Sequence, residues 1–143
     1  MSRPVPCGRD DYRWFMTIAT RWADNDAYGH VNNTVYYAWF DTAVNCWLIE
    51  AGLLDIEQGD PIGLVVETGC AYFASLSFPG DVEVGIAIDR LGTSSVTYRI
   101  GVFAPGATEA AAQGYFTHVY VGRSNRRPAP LPEAWRAKLE TLA

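Results

Sequence analysis

From Asn33 to Ala51 apolar residues recur every three or four positions, which is the period of one face of an α-helix. They are Val35, Tyr36, Trp39, Phe40, Ala43, Val44, Trp47 and Leu48. Asn33 suits the N-cap of this helix, and Gly52 suits the position just after its C-cap. Small or apolar residues also lie on its other faces, at Ala38, Cys46 and Ile49. The pattern therefore predicts a long helix that is buried on more than one side.

Five other segments alternate or cluster in the manner of β-strands. They are residues 13–23, 63–77, 82–91, 95–103 and 111–122. The breaks between the last four are short enough for hairpin connections. A short helix at 132–142 follows, with Pro132 as its first residue. We therefore predict an α+β fold in which a five-stranded antiparallel sheet wraps around the long helix, as a single domain over residues 1–143.

Composition narrows the class of function. The 143 residues are 49% hydrophobic and 19% charged, which excludes a disordered chain. The 11 basic residues against 16 acidic ones give a net charge of −5, so nucleic acid is not an expected partner. No stretch approaches a membrane span, and no apolar run precedes Cys7. These features predict a soluble, cytoplasmic protein without a membrane partner.

The residue types that bind metals do not form a recognisable ligand set. The three cysteines are widely spaced, at Cys7, Cys46 and Cys70, and predict reduced, mostly buried thiols. The acidic and imidazole groups near the helix start match no ligand spacing: Asp24, Asp26, His30 and Asp41. We predict neither a metal nor another cofactor. His118, in the middle of a strand, is expected to be a hydrogen-bonded structural residue.

The densest group of reactive side chains lies at residues 21–36, where the first strand gives way to the long helix. The first N–H groups of a helix have no partner within it and lie at the positive end of its dipole, so they can stabilise an oxyanion. A nearby carboxylate can act as nucleophile or general base. The run Asp24-Asn25-Asp26 is equally typical of turn and capping chemistry. The residues alone leave both interpretations open.

The stretch Asp24-Asn25-Asp26-Ala27-Tyr28-Gly29-His30-Val31-Asn32-Asn33, followed by Trp39-Phe40-Asp41, resembles the 4-hydroxybenzoyl-CoA thioesterase-like branch of the hotdog-fold acyl-CoA thioesterases. Segments 68–73, 80–84 and 92–97 are similar to the same family, and the likeness extends over about residues 13–140. The resemblance implies a hotdog fold and a homodimer whose sheets join. A homotetramer is the alternative, because the outer face of the sheet can stack on a second dimer. The resemblance also implies metal-independent hydrolysis of acyl-CoA thioesters.

The resemblance assigns roles to individual residues. It implies that Asp26 is the catalytic carboxylate, and that the backbone N–H of Asn33, seven residues further on, polarises the thioester carbonyl. His30 either orients water or the carboxylate, or is a structural hydrogen-bonding residue. Asp24 is expected to be structural, and either to pair with Arg21 or to cap the loop.

Further positions are predicted to bind substrate: Tyr28, Gly29, Val31, Asn32, Tyr36, Glu67, Thr68, Ser94 and Ser95. Glu67 lies in an otherwise apolar strand, so it is either a solvent-facing residue or a second candidate base. The family implies that strand residues near 65–70 of the partner subunit line the acyl pocket.

Some relatives carry basic residues that meet the CoA phosphates in the turn that corresponds to residues 91–95, and this chain does not. Hydrolysis of acyl carrier protein thioesters is therefore an alternative. A non-catalytic module that binds acyl thioesters is another, and a hydratase or dehydratase of enoyl thioesters fits the spacing from Asp26 to His30 less well.

Overall fold

The computed structural model describes residues 3–143, and its elements follow the predicted order. The strands and helices are β1 (Trp14–Ala19), α1 (Asn33–Glu50), β2 (Ile62–Tyr72), β3 (Asp81–Leu91), β4 (Ser95–Phe103), β5 (Ala112–Val121) and α2 (Glu133–Leu139). Three 3₁₀ turns are also present, at Arg9–Asp11, Trp22–Asp24 and Glu140–Leu142. No helix in this part of the chain is long and apolar enough to cross a membrane.

All five strands form one antiparallel sheet in the order β1-β3-β4-β5-β2, so β1 and β2 are its edges. Helix α1 packs against one face of this sheet, where alternate residues of β3 and β4 are buried. These residues are Val82, Val84, Ile86, Ile88, Val96, Tyr98, Ile100 and Val102. The predicted α+β architecture, the hotdog fold with a short C-terminal helix, is confirmed.

Within one chain, helix α1 buries a single face. Its buried residues are Tyr36, Trp39, Phe40, Ala43, Val44, Trp47 and Leu48. Ala38, Asp41 and Thr42 are exposed on the other side, and Ile49 is exposed as well. The prediction of burial on more than one side is therefore wrong for the isolated chain, because a single sheet contacts only one side of the helix.

The end of α1 is built as predicted. Gly52 adopts a φ of +76°, a conformation that favours glycine, directly after the C-cap Ala51. Its N–H donates to the Ile49 carbonyl at 3.0 Å, and the Leu53 N–H donates to the Leu48 carbonyl at 2.8 Å. This Schellman arrangement satisfies two of the carbonyls left unpaired at the helix end.

Four predicted boundaries are wrong. The first strand ends at Ala19 rather than residue 23, because the chain then turns into the Trp22–Asp24 3₁₀ turn. Strand β2 ends at Tyr72 rather than residue 77, because the next two backbone N–H groups both donate to the Ala111 carbonyl and leave the ladder. The last helix ends as a 3₁₀ turn after Leu139, and Pro132 is its N-cap rather than its first residue.

A second apolar cluster covers the outer face of the sheet, and the sequence pattern did not predict it. The ring of Tyr12 packs edge-on against Phe103, with centroids 5.7 Å apart, and against Phe15. Gly101 makes room for it, since a Cβ there would lie 2.5 Å from Tyr12 Cζ. The segment before β1 is thereby attached to the sheet.

The three cysteines are free, as predicted, and each is half-buried where mostly buried thiols were expected. Cys70 lies in the edge strand β2, and Cys46 lies on the flank of α1, so neither is enclosed by the core.

His118, in β5, departs from its expected role. It is only 3% exposed and lies among aromatic rings, the nearest being Phe116 with centroids 5.1 Å apart. Its Nδ1 has no hydrogen-bond partner in the described part of the chain, so the prediction of a hydrogen-bonded histidine is wrong. Burial lowers the pKa of His118 to about 4, so the imidazole is neutral at pH 7.

The low pKa of His118 predicts a loss of stability in mild acid. The unfolded chain binds this proton with a pKa near 6.5, so the free energy of unfolding falls as the pH drops from 6.5 to 4. The loss reaches about 3 kcal/mol, and above pH 6.5 the group contributes no pH dependence.

Urea unfolding at pH 7 and pH 4.5 measures this fall in the free energy of unfolding. His118→Phe should show a smaller loss than wild type, whereas His30→Gln, at the exposed histidine, should match wild type. Equal losses in wild type and His118→Phe would refute the assignment.

Candidate active site at the start of the long helix

The segment between β1 and α1 contains a turn, residues 26–30, that two backbone hydrogen bonds close. The Asp26 N–H donates to the His30 carbonyl at 2.8 Å, and the Gly29 N–H donates back to the Asp26 carbonyl at 3.1 Å. Gly29 has a φ of +79°, which a side chain would strain. Asn25 and Val31 form a β-bridge at the base of this loop. Residues 26–30 therefore form a defined turn beside the helix.

The Asp26 carboxylate is held by backbone N–H groups of this turn. Its Oδ1 accepts from the Tyr28 N–H at 2.8 Å and from the His30 N–H at 3.4 Å. Its Oδ2 accepts no hydrogen bond from residues 3–143. One oxygen thus fixes the orientation of the carboxylate, and the other is free for a substrate or a water molecule.

The first turn of α1 leaves one N–H group free. Asn32 is the N-cap, not Asn33 as predicted, and its Oδ1 accepts from the Thr34 N–H at 3.0 Å. The Asn32 carbonyl accepts from the Val35 N–H, also at 3.0 Å. The N–H of Asn33, the first helical residue, finds no acceptor among the described residues. It lies at the positive end of the helix dipole, where it can bind a developing negative charge.

Asp24 fixes the loop to the helix. Its buried carboxylate accepts from the Arg21 N–H at 2.7 Å and from two guanidinium nitrogens of Arg21, at 2.8 and 3.0 Å. Its carbonyl accepts from the N–H of Asn32 at 2.8 Å. The predicted pairing of Asp24 with Arg21 is confirmed, and the pair holds the helix N-cap in place.

Asn33 lines a cavity of about 270 Å³. Its walls are His30, Val31, Asn33, Tyr36, Tyr72, Phe73, Ala74 and Ser75. The Tyr72 hydroxyl donates to the Asn33 carbonyl at 2.9 Å, and its ring meets Tyr36 edge-on with centroids 5.0 Å apart. Burial raises the pKa of Tyr36 to about 12 and also raises that of Tyr72, so both phenols are neutral donors at pH 7.

Asp26 lines a second cavity, also of about 270 Å³, together with Trp22, Asn25, Ala27 and Gly29. Gly29 lines the cavity at Asp26, and its chain neighbour His30 lines the cavity at Asn33. The structure therefore brings Asp26 and the Asn33 N–H to neighbouring cavities rather than to one.

The structure places the other residues of this loop as follows. His30, Val31 and Tyr36 line the cavity at Asn33, and Gly29 lines the one at Asp26. Asn32 serves as the N-cap rather than as part of a cavity wall. Tyr28 projects into solvent, with 86% of its surface exposed.

The predicted residues of β2 and β4 lie away from α1's first turn within one chain. Ser95 pairs with Val119 of β5, whereas Tyr72, which lies beside the helix start, pairs with Ala112 of the same strand. Val119 and Ala112 are seven positions apart along β5, a distance of about 24 Å. Ser94 and Ser95 are therefore at the opposite end of the sheet.

On β2, Glu67 is exposed and its carboxylate raises the pKa of the Tyr115 hydroxyl. Thr68 Oγ1 donates to the Tyr115 carbonyl at 2.8 Å.

Sequence reasoning missed the wall formed by Tyr72 and the residues that follow it, 73–75. These residues lie about forty positions after Asn33 and meet it because β2 ends beside the helix start. The sequence analysis extended this strand to residue 77, so it predicted no loop at residues 73–75. The end of β2 at Tyr72 would have indicated that loop.

The comparisons with known proteins identify the family. The family model described as the thioesterase-like superfamily matches residues 20–139. The chain belongs to the thioesterase-like superfamily. It is a thioester hydrolase of the hotdog fold. No curated protein sequence matches this thioesterase at a significant level.

Solved structures resemble this thioesterase over nearly its whole length. The PA5185 protein of Pseudomonas aeruginosa strain PAO1 is 51% identical, with 96% of each chain covered and a TM-score of 0.93. The PA2801 protein of Pseudomonas aeruginosa is 30% identical, with 90% of this chain and 98% of that chain covered and a TM-score of 0.80.

A third structure, Slr0204 from Synechocystis, is a 1,4-dihydroxy-2-naphthoyl-CoA thioesterase. It is 19% identical, with 87% of this chain and 93% of that chain covered and a TM-score of 0.78. At this identity the likeness shows the fold alone.

Proposed function

We propose that this thioesterase hydrolyses acyl-CoA thioesters to a free carboxylic acid and CoA, without a metal or other cofactor. Asp26 attacks the thioester carbonyl or activates a water molecule for that attack, and the Asn33 N–H stabilises the oxyanion. The observation that carries the proposal is the free N–H at the first residue of α1, seven positions after a carboxylate, Asp26, whose Oδ1 is held by backbone N–H groups.

The arrangement supplies what thioester hydrolysis needs. The tetrahedral intermediate places a negative charge on the former carbonyl oxygen, and an N–H group at a helix N-terminus is preorganised to bind it. Asp26 has an oxygen free to act on the carbonyl carbon or on water. His30, which lines the cavity at Asn33, is a candidate to orient the attacking water.

The experiment is free-thiol release from short, long, branched and aromatic acyl-CoA thioesters, with acyl carrier protein thioesters as a second carrier. The aromatic member is included because one structural neighbour acts on such a substrate. Turnover of a CoA thioester supports the proposal. Turnover of carrier protein thioesters only would replace CoA by the protein carrier. Saturable binding of every thioester without thiol release would contradict hydrolysis and support a binding module.

We propose further that two chains form a dimer through the edge strand β2. This strand exposes a run of apolar residues, Leu64, Val65 and Val66, along an unpaired edge. Such an edge is a template for pairing with a second copy across a two-fold axis. An antiparallel pair of β2 strands would bring Glu67 and Thr68 of one chain toward the helix start of the other, which the resemblance also implies.

A charge on this edge should separate the subunits. Val66 is 58% exposed in β2, and Val66→Lys is expected to convert a dimer into monomers in sedimentation velocity, because a buried lysine opposes pairing. Thr17→Lys, at an exposed position of the other edge strand, is the matched control and should remain dimeric. A Val66→Lys dimer, or a monomeric wild type, would refute the β2 interface.

We also propose that this thioesterase works in the cytoplasm. The support is its three free cysteines, none of which is paired although each is partly accessible. A reducing compartment maintains thiols in this state.

A further inference from the structure

The hydroxyl of Tyr36 is a polar group that the fold leaves without a partner. Tyr36 is only 3% exposed, and its ring belongs to the core. Its hydroxyl nevertheless forms no hydrogen bond with any residue of the described range, 3–143. A hydroxyl in such a place has lost most of its water and has no protein acceptor instead, which costs free energy. A ligand that accepts a hydrogen bond from it would remove this cost.

Tyr36 lies on the same side of α1 as Asn33, because residues three positions apart are neighbours on a helix surface. Both residues line one cavity, together with His30 and Val31. Aromatic side chains of a helix lean toward its N-terminus, so the phenol of Tyr36 extends toward the turn that carries the Asn33 N–H. The start of α1 therefore offers two donors that have no acceptor among residues 3–143, one from the backbone and one from a side chain.

Neighbouring rings hold the Tyr36 phenol in place. Trp39 and Tyr72 meet its ring edge-on, with centroids 5.1 and 5.0 Å away. Tyr72 also lines the cavity, but its hydroxyl already donates to the Asn33 carbonyl at 2.9 Å. Burial raises the pKa of Tyr36 to about 12, so its hydroxyl keeps the proton at pH 7. Tyr36 is thus a fixed donor, and such a donor binds developing charge without reorganisation.

We propose that the Tyr36 hydroxyl is a second oxyanion donor, which acts with the Asn33 N–H on the carbonyl oxygen of the thioester. This inference rests on the proposed thioester hydrolysis and assigns a catalytic role to Tyr36. When the carbonyl carbon is attacked, its oxygen takes up an electron pair of the C=O bond and accepts both hydrogen bonds. The hydroxyl keeps its proton throughout, and the oxygen returns the electron pair when the C–S bond breaks. The donor serves every thioester, because it binds the group that all of them share.

Replacing Tyr36 by Phe removes the hydroxyl and retains the ring. Tyr36→Phe should lower kcat by about 10²-fold and leave KM within a few-fold of wild type, because the donor binds the transition state more strongly than the substrate. The loss should be equal for a short aliphatic and an aromatic acyl-CoA thioester. The melting temperature of the variant should not fall, because the hydroxyl has no partner in the protein to lose.

Tyr12→Phe is the matched control. The Tyr12 hydroxyl is also buried without a partner among the described residues, but it lies in the apolar cluster on the outer face of the sheet. This variant should match wild type in kcat and KM. Wild-type turnover by Tyr36→Phe would overturn the inference, and a loss confined to one acyl group would place Tyr36 against the acyl chain. A rise in KM at unchanged kcat would make Tyr36 a ground-state contact, and a lower melting temperature would make its hydroxyl structural.

Infrared spectroscopy separates this inference from the proposed function, because it needs no hydrolysis. The probe is a ketone analogue of acyl-CoA, in which a methylene group replaces the thioester sulfur. A hydrogen bond to a carbonyl oxygen weakens the C=O bond, so the C=O stretch of the bound analogue should lie at a lower wavenumber in wild type than in Tyr36→Phe. Equal wavenumbers would refute the Tyr36 assignment alone. Wild type that shows the shift but hydrolyses no thioester would refute the proposed function alone, and wild type that does not bind the analogue would refute both.

Discussion

Replacing Asp26 by Asn is expected to lower kcat for acyl-CoA hydrolysis by on the order of 10²-fold or more. The substitution retains the Oδ1 atom that accepts from the Tyr28 and His30 N–H groups, so the loop can keep its shape. It removes the negative charge and the basicity that an attack on the carbonyl requires. Thiol release at saturating substrate measures the effect, because the loss belongs to the chemical step rather than to binding.

Asp55 provides a matched control for this variant. Its Oδ1 also accepts from two backbone N–H groups, those of Glu57 and Gln58, at 3.1 and 3.2 Å. Asp55→Asn therefore makes the same chemical change in the same kind of turn, in another loop. Wild-type turnover by Asp55→Asn is the expected result. Wild-type turnover by Asp26→Asn would remove Asp26 from the mechanism.

Replacing Asn33 by Pro is expected to lower kcat by about 10²- to 10³-fold, the usual cost of removing one oxyanion donor. Proline is well accommodated at the first position of a helix, where its missing N–H has no partner in the helix anyway. The preceding Asn32 already has the extended conformation that proline requires, with φ −60° and ψ 139°. The variant thus removes one N–H group from the cavity and retains α1.

Asn33→Ala separates the backbone from the side chain at this position. It retains the N–H group and should turn over substrate at close to the wild-type rate. Circular dichroism and thermal unfolding check that both variants keep the helix. If Asn33→Pro stays folded and within a few-fold of wild type, the Asn33 N–H is not the oxyanion donor.

The sequence predicted the architecture because its apolar periods are strong. The alternation from Val82 to Ile88 and the helical period from Tyr36 to Leu48 each specify an element and its buried face. Element ends were less predictable. Strand β2 stops at Tyr72 because Ala111 takes the next two N–H groups, a contact between residues almost forty positions apart. No local pattern encodes such a contact.

The candidate site was predictable only in part. The spacing from Asp26 to Asn33 predicted that both groups lie beside the helix start. It did not predict that they line two separate cavities. The role of Asn32 as N-cap depends on a side-chain contact with the Thr34 N–H, which either asparagine can make in principle. Trp22 gave no periodic signal at all, because it belongs neither to a strand face nor to the helix.

The most direct test of the central claim is a comparison of two carboxylates in one assay. Single-turnover thiol release from the best acyl-CoA substrate is measured for wild type, Asp26→Asn and Glu67→Gln. Glu67 is the competing base, exposed on the edge strand that we propose to face the partner subunit. The proposed mechanism predicts that Asp26→Asn loses turnover and that Glu67→Gln retains it. Loss in Glu67→Gln with turnover retained in Asp26→Asn would contradict the mechanism and move the catalytic carboxylate to β2.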